Sequence, residues 1–236
     1  MPRTPPRGSS APRTSKSPSP HAQEELRRYL AAECFERLKE AYPDAHCALT
    51  ARNAFELLAA TMLSAQCTDV RVNLVTPALF AAYPDAHALA AADQADVEHL
   101  VHSTGFYRNK ARNLIAMAQT LVAEHAGEVP SSMAALHVLP GVGRKTANVV
   151  LGNAFGINEG ITVDTHVMRI ATLLGLTGER DAVRIERDLL PLFPHAEWAM
   201  VTHVLIALGR DICIARRPQC ARCPLVDLCP SARLDG

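Results

Sequence analysis

Two stretches of this chain hold residues of types and spacings that could do chemistry. The first is Leu139-Pro140-Gly141-Val142-Gly143-Arg144-Lys145-Thr146-Ala147. Apolar periodic segments flank it, Met133 to Leu139 before and Ala147 to Phe155 after, so it reads as two helices joined by a turn with two glycines. Glycine reaches positive φ without a steric clash and has no side chain to hold a ligand away. Backbone N–H groups at the start of the second helix lack intrahelical partners and point outward, where they can hold an anion. A nucleic-acid phosphate fits that description. Lys145 adds an amine in the first turn of that helix. The competing reading of so short a glycine motif is an ordinary helix corner with a solvated lysine.

The second stretch is Cys213-x6-Cys220-x2-Cys223-x5-Cys229, four thiols within 17 residues, with Pro218, Pro224 and Pro230 forcing turns. A segment with so little core of its own would be held by a metal centre. Four thiolates suit structural zinc or a [4Fe–4S] cluster, and spacing alone does not separate the two. Arg210, Arg216, Arg217 and Arg222 surround the cysteines, which makes the loop a candidate phosphate-facing knob.

The glycine stretch resembles the helix–hairpin–helix element of DNA glycosylases. Gly160-Ile161-Thr162-Val163-Asp164-Thr165-His166-Val167 carries the Val-Asp-Thr-His which that family shows, and Leu63-Ser64-Ala65-Gln66-Cys67-Thr68-Asp69 looks like the Leu-Ser-Ala-Gln-(Ala)-Thr-Asp signature of endonuclease III. The x6, x2, x5 cysteine spacing is that of endonuclease III and its adenine-specific relatives. The resemblance covers residues 24 to 230 and implies a bifunctional base excision repair glycosylase with AP lyase activity. It implies Lys145 as the nucleophile and Asp164 as the group that stabilises the positive charge developing at the sugar or moves protons. Asp164 also suits a plain helix N-cap. Gln66 would fill the hole left by an extruded nucleotide, and Phe106 would be the wedge at a position where the family often has leucine. Gly141, Val142, Gly143 and Arg144 would grip the DNA backbone, with His166 and Arg169 as further DNA contacts. Cys213, Cys220, Cys223 and Cys229 would hold a [4Fe–4S] cluster. Arg108, Lys110 and Arg112 add basic residues beside the wedge. Two positions depart from the family pattern. Cys67 stands where relatives carry alanine and reads as a small packed thiol. His137 stands where relatives carry a carboxylate, which leaves the choice of damaged base open; oxidised pyrimidines are the default that the resemblance implies.

The implied chemistry is explicit. A stacked base cannot be reached, so the nucleotide must rotate out of the duplex. An alkylammonium is not a nucleophile; a helix N-terminus and partial burial both disfavour that form, and Lys145 is expected to experience both. The free amine attacks C1′ and forms a Schiff base with the opened sugar. Proton loss at C2′ then expels the 3′-phosphate. Two rivals make contrary demands. A monofunctional mispair adenine glycosylase lacks lysine at the position of Lys145 and carries an extra C-terminal domain, whereas this chain ends seven residues after Cys229. A non-catalytic helix–hairpin–helix module explains the glycines but not Lys145 with Asp164.

The elements that must position these residues read as helices. Alternation never persists, while 3.6-residue apolar spacing recurs. Helices are expected over Glu24–Tyr42, from Asn53 (a capping box with Glu56) to Met62 or Leu63, and over Val70–Phe80, capped by Asp69 and kinked at Pro77. Others span Asp93–His102, the segment up to Glu124, the two hairpin arms, and the segment from Asp164 or Thr165 to Gly175. Asp181–Leu190 and Ala196–Gly209 complete the set. The expected architecture is all-α, with two helical domains and a DNA-binding cleft between them. Residues 47–157 would form a six-helix barrel domain with the hairpin. Residues 22–46 and 158–236 would form a discontinuous iron–sulfur domain, and residues 1–21 a disordered basic tail.

Composition sets the outer limits. The 236 residues are 48% hydrophobic, enough for a sizeable core, and the formal net charge is +0 with a pI near 7.1. Any positive DNA-facing surface must therefore be local. No apolar run approaches the roughly 20 residues of a membrane helix, and the basic N-terminus lacks the apolar segment of a secretory signal. Seven cysteines, four clustered and three scattered, suit a reduced cytosol with one metal site. A cytoplasmic, nucleoid-associated monomer acting on damaged or abasic double-stranded DNA is the expectation.

Overall fold

A computed structural model describes residues 19–234. Among them are eleven α-helices and no strand. In order these are α1 Pro20–Ala41, α2 Ala54–Leu63, α3 Asp69–Ala82, α4 Ala86–Ala90, α5 Gln94–Val101 and α6 Tyr107–His125. They continue as α7 Met133–His137, α8 Arg144–Ala154, α9 Thr165–Leu173, α10 Ala182–Leu189 and α11 Trp198–Asp211.

The buried apolar residues fall into two cores. One runs from Phe55 to Leu151 and is built by α2 to α8 around Leu58, Leu63, Leu79, Leu114, Met117 and Leu121. The other joins Ala31, Cys34, Phe35 and Leu38 of α1 to Ile161 and the elements that follow, as far as Leu225. Seven helices therefore surround the first core; the addition is the one-turn α4, capped by Asp85. The connection between α8 and α9 passes from one core to the other, and α8 and α9 both begin at the seam.

Local chemistry explains where the elements start. Ser19 accepts from Ala22 N and Pro20 occupies the first helical position, so α1 begins earlier than its apolar spacing indicates. Residues 20 and 21 are thus helical, and the rest of the expected tail lies outside the described residues. Asn53 caps α2 by accepting from Glu56 N at 2.9 Å. The reciprocal half of the capping box is absent, because the Glu56 carboxylate accepts from Arg52 N at 2.7 Å and from the Arg52 guanidinium. Thr68, not Asp69, caps α3. Asp69 is thereby free to pair with Arg210 of α11 across the seam. Helix α3 continues through Pro77 as one element.

Candidate active site and DNA-facing surface

The turn before α8 is built as the glycines demand. Gly141 has φ +77°, and a Cβ there would lie 3.0 Å from Asn113 Cβ and 3.0 Å from Met62 Cε. The hairpin backbone therefore rests directly on α6 and α2. Gly143 has an ordinary extended φ of −90° and open space around it. It is the N-cap of α8, and no side chain caps that helix, so its first-turn amides have no side-chain partner. Val142, also expected as a DNA contact, is different: its side chain is buried and its N–H donates to Leu139 O at 3.1 Å, so it anchors the turn.

Lys145 sits in the first turn of α8, exposed, and makes no hydrogen bond or ion pair with any described residue. The expected partial burial is absent from the free protein, because the groove in front of α8 is open. Asp164 is the N-cap of α9, and its Oδ1 accepts from His166 N and Val167 N, each at 2.8 Å. The second carboxylate oxygen makes no hydrogen bond with any described residue. Lys145 and Asp164 line one cavity of about 120 Å3 at the seam, together with Thr61 and Ser64 from the first lobe and His203 and Arg210 from α11. Burial, then the neighbouring His46, push the His203 imidazole below its ordinary range. It contacts Asn153 Oδ1 at 3.0 Å across the seam.

A second cavity, of about 220 Å3, lies on the first lobe and is lined by Gln66, Phe106 and Gly141, with Met62, Lys110 and Asn113. Gln66 (φ 54°) and Phe106 (φ 48°) are two of the three described non-glycine residues in the left-handed region. Such a conformation costs of order 1–3 kcal/mol in a side-chain-bearing residue and persists where surrounding structure imposes it. Phe106 is 66% exposed, so the turn holds an aromatic ring in solvent rather than in the core. Its neighbour Tyr107 is half-buried against His102.

In the free protein Arg144 and Arg169, both expected as DNA contacts, have partners within the chain, and so does Lys110, expected as a basic residue beside the wedge. The Arg144 guanidinium forks onto the Glu186 carboxylate of α10 at 3.2 and 3.3 Å. Arg169 donates to Gly209 O at 3.2 Å and Cys213 O at 2.6 Å, tying α9 to the start of the cysteine loop. Lys110 is buried and donates to two backbone carbonyls instead of adding surface charge. His166 packs on Gly209, where an added Cβ would approach Nδ1 to 2.7 Å, and that nitrogen is buried without a partner. Sequence reasoning missed the roles of Lys110 and Glu186. Both lie in charge-rich stretches that read as solvated, and only their helical phase marks them as inward.

The four cysteines are half-buried, unpaired, and all line a third cavity of about 150 Å3, with Arg169 and Ile212. Among the described residues no three His, Cys, Asp or Glu side chains converge where a single ion could sit. Four thiols lining one space have the donor set of a [4Fe–4S] cluster, one thiolate to each iron. Burial pushes the Cys213, Cys223 and Cys229 thiols up, so a metal centre must compensate the thiolates it binds.

The hairpin, the seam cavity and the cysteine loop together define a helix–hairpin–helix base excision repair protein. Residues 59–195 match the HhH-GPD superfamily of base excision DNA repair proteins, and residues 213–229 match the iron–sulfur binding domain of endonuclease III. The chain is 53% identical to the endonuclease III of Synechocystis over 207 residues, which cover 88% of this chain and 94% of that protein. Two solved structures, a non-covalent endonuclease III–DNA complex and a trapped endonuclease III–DNA covalent intermediate, each superpose with a TM-score of 0.83 at 43% identity. Each match covers 87% of this chain and 96% of theirs. This chain belongs to the endonuclease III family, and its cofactor is a [4Fe–4S] cluster.

Proposed function

We propose that this protein is a bifunctional glycosylase and AP lyase that removes oxidised pyrimidines from duplex DNA. The observation that carries the reading is the seam cavity. Lys145 and Asp164 start two helices of different lobes, line the same space, and Lys145 has no partner there among the described residues. In this reading the Lys145 amine attacks C1′ of an everted nucleotide, the glycosidic bond breaks, and the base leaves with a proton. DNA closing over the open groove supplies the water exclusion that the free protein lacks. Asp164, with one oxygen fixed by two backbone amides, presents the other to the sugar as positive charge develops. The sugar opens, and the Schiff base forms on Lys145 Nζ. Loss of the C2′ proton then expels the 3′-phosphate.

Gln66 and Phe106 fill the vacated stack, and the amides at Gly143, Arg144 and Lys145 hold a phosphate. The [4Fe–4S] cluster on Cys213, Cys220, Cys223 and Cys229 folds its loop as a structural centre. We read residues 47–157 and residues 22–46 with 158–236 as the two lobes, in keeping with the two cores. We place the protein in the cytoplasm, acting as a monomer on DNA. Bacterial endonuclease III relatives and seven unpaired cysteines support that placement, and no described helix is long and apolar enough to cross a membrane.

Borohydride trapping on a thymine-glycol duplex tests the reading. The parent is expected to give a covalent adduct and a nicked strand, and Lys145→Gln neither. Specific binding by the parent with no adduct and no nick would leave only a binding module.

A further inference from the structure

Lys110 is the only lysine among the described buried residues. Its Nζ donates to Leu63 O at 2.8 Å and to Thr104 O at 2.7 Å. Leu63 is the last residue of α2, three residues before Gln66. Thr104 ends the 3-10 turn His102–Thr104, two residues before Phe106. The backbone N–H of Lys110 also donates to Phe106 O at 3.1 Å. Among the described residues no carboxylate meets the ammonium. Burial pushes Lys110 below the ordinary lysine range, with the Cys67 thiol opposing that shift. A buried cation held only by carbonyls is a demanding arrangement. It is favoured here because both carbonyls end helical segments, where backbone acceptors lack partners and the dipole is negative.

We propose that Lys110 is a positioning residue which, by bridging the carbonyl ends of α2 and the 3-10 turn, sets the gap between Gln66 and Phe106. The inference rests on reading those two residues as the ones that enter the duplex. Each holds a left-handed backbone conformation that needs external support, and each lies within three residues of a carbonyl bonded to the same nitrogen. Together with Gly141 they line one cavity, and Lys110 is part of its wall. A fixed gap lets the two side chains open the stack as a unit. Lys110 touches no reacting atom and acts only through these neighbours.

The test is single-turnover excision of thymine glycol from two substrates, one fully paired and one with the lesion unpaired in a bulge, where extrusion needs little help. Lys110→Met is expected to slow excision from the paired duplex by roughly tenfold or more, while staying within about threefold of the parent on the bulge. The visible absorbance of the cluster and the thermal midpoint report whether the variant folds. Should Lys110→Met not fold, Lys110→Gln decides. It keeps a donor that reaches one carbonyl at most, and it is expected to slow duplex excision several-fold with the bulge unaffected. Equal slowing on both substrates, or none on either, overturns the proposal and leaves Lys110 a structural residue. A parent that excises from neither substrate overturns the proposed function itself.

Discussion

At the scale of single residues, the two hairpin glycines serve different ends. Gly141 is required by conformation and by contact, since its φ is +77° and Asn113 and Met62 close over the place where a Cβ would go. Gly143 has neither constraint; it is the N-cap of α8, with open space where a Cβ would go. Gly141→Ala is expected to destabilise the fold by about 1–3 kcal/mol. Gly143→Ala is expected to cost at most about 1 kcal/mol, since alanine is a poorer N-cap than glycine, and to weaken DNA binding by holding a phosphate off the first-turn amides. Thermal unfolding and a DNA titration on each variant check the contrast; a large drop in midpoint for Gly143→Ala would contradict it. Both glycines are visible in the sequence, but which one is structural is not. That depends on atoms of α2 and α6, 28 and more residues away.

At the scale of elements, α2 delivers its C-terminal end to the loop of Gln66, so the hold on its N-terminus matters. Glu56 is 2% exposed and accepts from the backbone and guanidinium of Arg52. Burial raises its pKa, but the Arg52 bonds outweigh burial and leave it below the usual carboxylate range. A carboxylate whose folded pKa is depressed contributes stability above its unfolded value, about 4.3, and loses that contribution as pH falls through the folded value. Glu56→Gln is therefore expected to lower stability at neutral pH by about 1–3 kcal/mol, and to flatten the acid limb below about pH 4. Denaturant unfolding of parent and variant across that range measures both effects. The cap at Asn53 was legible from its spacing to Glu56. The turn of Glu56 toward Arg52 was not, because a capping box and this clasp share the same residue types.

At the scale of the molecule, two cores meet along a polar seam and the catalytic candidates sit on it. Arg144–Glu186, Arg210–Asp69 and His203–Asn153 each cross between the lobes. Arg169 extends the connection to the cysteine loop through Cys213 O. The loop itself holds one 3-10 turn, Cys220–Arg222, and gives the second core Leu225, with Leu228 and three of the cysteines packed against it. Oxidative loss of the cluster is therefore expected to cost little helical circular dichroism, since the loop has no α-helix to lose. The same loss should release the loop, lower the thermal midpoint by several degrees and weaken duplex binding. Collapse of the whole helical signal on cluster loss would show that the metal centre nucleates more than its loop.

The sequence alone determined the helical class, the hairpin and the four cysteines. It also supplied Lys145 and Asp164 as a candidate pair. The first three depend on local spacing: apolar period, turn glycines, or a short run of one ligand type; the Lys145–Asp164 pair rests on the family resemblance. Only the tertiary structure decided which charges are spent internally. The resemblance implied Arg144 and Arg169 as DNA contacts, and Lys110 read as a basic residue beside the wedge; in the folded chain they bond to Glu186, Cys213 O and the carbonyls of Leu63 and Thr104. A charged side chain looks the same in sequence whether it meets water or a buried carbonyl. The difference arises from partners distant along the chain that become neighbours only when two lobes close on one another.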